Sequence, residues 1–221
     1  MGRFVNPDNT TFKAALNTKI YVDKTELIEF TNSLIGTTEN FICNSRPRRF
    51  GKSYTANMLS AYYSKGCDSR ELFCGLAVEK SSAYLEYLNK FDVIHFDLQW
   101  FFSKEHIDET VDLITNTIVD ELKKIYEDVL SEDVRTIPDA LSQINAATGN
   151  QFVIIIDEWD MLIRDAAKNK AIQEKYIDFL RRLFKGIEPE KYIALAYITG
   201  ILPIKKYNTQ SALNNFNEYT M

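Results

Sequence analysis

The chain has 221 residues, a mass of 25.6 kDa, 45% hydrophobic residues and a net charge of −5, with a sequence pI near 5.2. That length suits one α/β core in a single domain, and the acidic balance argues against bulk association with nucleic acid or an anionic membrane. No stretch approaches transmembrane length and Met1–Pro7 lacks the apolar core of a signal peptide, so a cytoplasmic location with no membrane partner is expected.

Residues 1–40 are expected to form an N-terminal segment packed on the core. Within them, Ile20-Tyr21-Val22 reads as a short extended piece feeding a helix that Asp23 or Thr25 caps. This segment is either a packing layer or the border of a nucleobase site. The core, residues 41–205, opens with the apolar run Phe41-Ile42-Cys43, a buried strand.

Directly after that strand come Asn44-Ser45 and the candidate cofactor-binding residues Arg46, Pro47, Arg48, Arg49, Phe50, Gly51, Lys52, Ser53 and Tyr54. A phosphate-binding loop belongs between a strand and a helix. Gly51 lets the backbone approach a phosphate, Lys52 reaches the β- and γ-phosphates, and Ser53 offers a hydroxyl to Mg²⁺ at a helix N-terminus that favours anions. Arg46 stands where the general pattern G-x-x-x-x-G-K-[ST] has its first glycine, so this segment alone also reads as a solvated basic turn.

Met58, Leu59, Tyr62 and Tyr63 then recur at helical spacing, with Gly66 expected to close the helix. Asp92–Leu98 reads as a strand in which His95 is a core histidine, and Asp97 lies either near a metal or in an ordinary turn contact. Ile107, Val111, Ile114, Ile118, Leu122 and Ile125 predict an amphipathic helix from about Glu105 to Glu127. A further helix follows Pro138 and ends at Gly149 or Asn150.

The run Phe152–Ile156 reads as a strand buried on both faces, ending in Asp157 and Glu158. Ligands of open α/β sheets bind beyond the carboxyl ends of the strands, so this acidic pair and the loop share a rim. Asp157, with Ser53, is the candidate metal ligand, since Mg²⁺ takes few carboxylates and keeps much of its water. Glu158 is the candidate to orient or deprotonate an attacking water. Either half alone has a bland reading, a helix cap or a solvated loop; together they point to one Mg-nucleotide site.

Beyond Trp159-Asp160 a polar loop is expected, then a helix through Ile172, Tyr176, Phe179, Leu180, Leu183 and Phe184 that closes at Gly186 and Pro189. The strand Tyr192–Ile198 then ends at Thr199-Gly200, where Thr199 is the third candidate catalytic residue beside Lys52 and Glu158, as a γ-phosphate sensor or a turn hydroxyl. Residues 206–221 read as a polar tail. Cys43, Cys67 and Cys74 lack disulfide or zinc spacing and read as reduced thiols. The β-α alternation predicts a three-layer P-loop NTPase fold, with a mainly parallel central sheet flanked by helices.

Tyr21-Val22-Asp23-Lys24-Thr25, Arg46–Ser53, Ile156-Asp157-Glu158-Trp159-Asp160 and Thr199-Gly200-Ile201-Leu202-Pro203-Ile204 resemble the bacterial AAA-ATPase-like family over nearly the whole chain. The resemblance implies a Walker A loop whose first glycine is replaced, a Walker B pair at Asp157-Glu158, a polar sensor at Thr199, and ATP with Mg²⁺ as cofactors. It also implies a C-terminal domain resembling PD-(D/E)XK nucleases, which this chain is expected to stop short of, and the possibility of a homo-oligomer. Arg164, Arg181 and Arg182 are candidates to act in trans or ordinary surface arginines. Direct nucleic-acid binding through Arg46, Arg48 and Arg49 is disfavoured in an acidic chain. The expected activity is Mg-dependent ATP hydrolysis; the alternative is a nucleotide-gated interaction module that binds ATP with little turnover.

Overall fold

A computed structural model describes residues 2–166, 169–204 and 213–220. Two helices lead, α1 (Thr10–Leu16) and α2 (Glu26–Leu34), followed by β1 (Phe41–Ser45) and α3 (Lys52–Tyr63). The short helices α4 (Arg70–Phe73) and α5 (Tyr84–Tyr87) connect to β2 (Asp92–Asp97), α6 (Leu98–Phe101), α7 (Thr110–Ile125) and α8 (Ile137–Thr148). Then come β3 (Phe152–Asp157), α9 (Met161–Asp165), α10 (Lys170–Phe184), α11 (Ile187–Tyr192), β4 (Ile193–Gly200) and β5 (Asn217–Thr220).

The strands form one five-stranded sheet in the order β2-β3-β4-β1-β5, every pair parallel. Side chains alternate along a strand, and here the alternation divides them between two cores. Phe152, Ile154 and Ile156 join the layer built with α7, α8 and α10. Val153 and Ile155 join the layer built with α1, α2 and α3. The fold is therefore the expected three-layer α/β arrangement, and burial on both faces explains why β3 reads as an unbroken apolar run.

Several local expectations change. Gly66 does not cap α3, whose last residue is Tyr63; a Cβ there would overlap the Asn6 carbonyl oxygen, so close backbone approach selects glycine. Pro189 does not end a helix but sits in the first turn of α11, where a missing N–H costs nothing. The polar stretch after Trp159-Asp160 includes α9. Residues 217–220, read as tail, add β5 to the sheet beside β1, while 205–212 and 221 lie outside the described residues.

Neither expected side chain caps α2: Thr25 stands at the N-cap position without a capping hydrogen bond, and Asp23 instead ties down the turn before the helix. Its carboxylate accepts from the Thr25 N–H and hydroxyl at 2.8 and 2.7 Å and from the Ala77 N–H at 2.8 Å. No helix is long and apolar enough to cross a membrane among the described residues.

Candidate functional site

The site lies at the carboxyl ends of β1, β3 and β4. Because β4 runs between β1 and β3, Thr199 is in register with Asn44 on one side and with Asp157 on the other. Arg46 is tied back at this rim: its N–H donates to the Gly200 carbonyl at 3.0 Å and its Nε to Asn44 Oδ1 at 3.2 Å. Pro47, Arg48, Arg49 and Phe50 arch outward and are exposed. Arg49 at φ 70° and Gly51 at φ 77° both take left-handed backbone, which turns the chain into α3.

Gly51 precedes α3 with no side-chain cap, so the first N–H groups of that helix have no helical acceptor. Lys52 is buried and its Nζ donates to the Pro47 carbonyl at 3.2 Å, spanning the loop from within. Lys24 braces the loop from outside, donating to the Phe50 carbonyl at 3.1 Å. Nothing in the local sequence around Lys24 announces that contact.

Asp157 ends β3 almost wholly buried, accepts from the Glu158 N–H at 3.0 Å and lines a cavity together with Ser53. Burial pushes its carboxyl up to about 6, the nearby Ser53 hydroxyl pulls it down, and the neighbouring Asp97 adds to the rise. Asp97 is in register with Asp157 and also accepts from the Gln99 N–H at 2.8 Å, so it both neighbours the candidate metal ligands and caps α6. Burial raises its pKa as well, with Glu158 contributing. Among the described residues no three His, Cys, Asp or Glu gather into a metal cluster. A buried carboxylate beside a hydroxyl still suits Mg²⁺, which keeps most of its ligands as water and phosphate oxygens.

Glu158 leaves the strand at φ 53°, in left-handed backbone that non-glycine residues seldom adopt. Its Oε1 lies 3.8 Å from Lys52 Nζ, and its Oε2 accepts from Arg164 Nη2 at 2.9 Å. Arg164 thus enters the site within its own chain. Arg181 and Arg182 pair with Asp178 on the surface of α10. Thr199 is fully buried and its hydroxyl has no partner among the described residues.

Hollows among the described residues surround these groups. A cleft of about 730 Å³ is lined by Arg48, Arg49, Lys52, Ser53, Glu158 and Arg164, among others. A mostly apolar hollow of about 260 Å³ lies between α1, residues 20–24 and α3, with Phe12, Tyr21, Tyr54 and Met58 in its walls. Gly51 and Tyr54 line both. A third cavity of about 480 Å³ reaches Ser53, Asp97 and Asp157 from the far side and includes His95, whose pKa burial lowers to about 4. His95 therefore borders a cavity as well as the core, with no hydrogen-bond partner for its ring among the described residues.

A family model described as "Predicted AAA-ATPase" matches residues 11–209. The chain belongs to this AAA-ATPase-like family. A relative from Azotobacter chroococcum mcd 1, "Uncharacterized protein in vnfD 5'region", is 27% identical over 217 residues, covering 91% of this chain. The chain spans about 37% of that relative's length. No solved structure matches the chain. The family membership and the parallel sheet agree on an ATPase-like, nucleotide-binding domain.

Proposed function

We propose that this chain binds Mg²⁺-ATP and hydrolyses it. The observation that carries this reading is that Ser53, at the start of the phosphate-loop helix, and Asp157, at the end of β3, line the same cavity. Lys52 and the free N–H groups of the loop and of α3 bind the phosphates, and Arg48 and Arg49 add positive field at the mouth of the cleft. Ser53 and Asp157 would hold Mg²⁺, which when bound offsets charge on the phosphate oxygens. Glu158 orients the attacking water, and Thr199 supports the γ-phosphate end from β4.

The apolar hollow behind Tyr54 suits the base. Thr18 and Thr55 offer hydroxyls there, and no carboxylate is among its lining residues. Guanine presents adjacent N–H donors that a carboxylate would satisfy, so this lining favours adenine.

One observation supports the switch reading instead. Both Glu158 oxygens face cations, Lys52 and Arg164, so the water-orienting group is held in ion pairs. In that reading ATP binding repositions a surface for a partner, such as the nuclease-like domain implied by the family resemblance, and turnover is slight. Glu158→Gln separates the two. An enzyme loses phosphate release by orders of magnitude while retaining ATP, whereas a switch has almost no release to lose.

A further inference from the structure

The ion pairs around Glu158 form a chain of alternating charge: Lys52, Glu158, Arg164, Asp160. Arg164 is mostly buried on α9, within the wall of the phosphate cleft. Its Nη2 holds Glu158 at 2.9 Å, and its Nε lies 3.4 Å from Asp160 Oδ2. That second contact lacks hydrogen-bond geometry, which leaves Nε a buried donor without an acceptor among the described residues. Unsatisfied buried donors are costly, so this arrangement leaves the guanidinium short of its hydrogen-bonding capacity. Asp160 is fixed independently by the Ile201 and Leu202 N–H groups at 3.2 and 2.8 Å, just beyond Thr199-Gly200 on β4.

We infer that Arg164 is a γ-phosphate-sensing arginine acting within its own chain: it pairs with Glu158 and turns to the third phosphate when a nucleoside triphosphate binds. The inference rests on the nucleotide reading above. A third phosphate bound by Lys52 brings acceptor oxygens and negative charge next to the Lys52–Glu158–Arg164 chain. It competes with Glu158 for both cations and repels its carboxylate. The planar guanidinium suits phosphate oxygens, and the exchange frees Glu158 to meet water only when there is a phosphate to cleave. A diphosphate lacks the group that drives the exchange. Arg164 therefore provides a means to distinguish ATP from ADP without a second subunit.

The test is calorimetric titration of the full chain with Mg²⁺ and either ADP or a non-hydrolysable ATP analogue, for wild type, Arg164→Ala, Arg164→Lys and Glu158→Gln. Wild type is expected to bind the triphosphate analogue more tightly than ADP by roughly tenfold or more, the scale of a charge-assisted hydrogen bond. Arg164→Ala should collapse that preference toward one, with ADP affinity changed by less than about twofold. Arg164→Lys should retain part of the preference. Glu158→Gln, which releases both cations, should strengthen triphosphate binding more than ADP binding. An unchanged preference in Arg164→Ala, or equal weakening of both ligands, overturns the inference and leaves Arg164 a structural counter-ion. Should Arg164→Ala fail to fold, the lysine and glutamine variants decide by the same ratio. If wild type binds neither nucleotide, the nucleotide reading fails and the inference falls with it.

Discussion

Two carboxylates are buried at opposite ends of the same parallel sheet, and their surroundings differ. Asp92, at the start of β2, accepts from Asn6 Nδ2, Lys65 Nζ, the Tyr126 hydroxyl and Asn150 Nδ2 at 2.7, 2.7, 2.6 and 3.2 Å. Asp157, at the end of β3, accepts from the Glu158 N–H at 3.0 Å, with the Ser53 hydroxyl nearby and Asp97 and Glu158 as acidic neighbours. The first carboxylate is saturated with donors and carries a counter-ion, as a structural tie should. The second is short of donors and crowded by like charge, which suits a group that awaits a cation. Burial alone does not separate these roles; the partners do.

The largest expected effect breaks the saturated end. Asp92→Ala strands Lys65, Tyr126, Asn150 and Asn6, and should cost about 3–5 kcal/mol in urea unfolding. A loss near zero would mean that the network is decorative. Asp157→Asn should act in the opposite direction. It removes a desolvated charge and should stabilise the nucleotide-free chain by about 1–2 kcal/mol at pH 7.5, while abolishing the Mg²⁺-dependent part of nucleotide binding.

The sign of the pH dependence follows from the raised pKa. Wild-type Asp157 holds its proton to about pH 6 when folded, against an ordinary value of 3.8. Between those values the folded state binds more protons than the unfolded state, so this carboxylate's contribution to stability rises as pH falls through about 6. The advantage of Asp157→Asn should therefore shrink below that pH, as thermal melts across the range would show.

Gly51→Ala forces a side chain into left-handed backbone at φ 77° and should cost about 1 kcal/mol, with weaker ATP binding in the same titration. Thr199→Val is the smallest perturbation. It replaces an unsatisfied buried hydroxyl with a methyl group, so melting should be unchanged or slightly higher while phosphate release slows. A marked drop in melting temperature would show that the hydroxyl contributes to the fold.

The sequence announces the parts of this site that depend on local pattern. Gly51-Lys52-Ser53 follows a strand readable from its apolar run, and Asp157 ends another, so topology brings them to one rim. What escapes is set by how the chain turns after a strand and by contacts distant in sequence. Arg164 shares no recognisable pattern with Glu158, and its place in the cleft depends on α9, a turn of helix inside a stretch that reads as polar loop. Lys24 reaches the loop from the N-terminal segment only because α1 and α2 pack on the sheet face beside α3. The short β5 carries Asn and Glu among its residues and becomes a strand by pairing with β1, an edge contact that intrinsic propensity does not encode.

The central claim is that Lys52, Ser53 and Asp157 together make a nucleotide site. Calorimetric titration of wild type and Lys52→Ala with ATP, in Mg²⁺ and again in chelator, tests it most directly. The account predicts saturable one-site binding that weakens in chelator and is lost in Lys52→Ala. Binding of equal strength in the variant, or no binding by wild type, would contradict it.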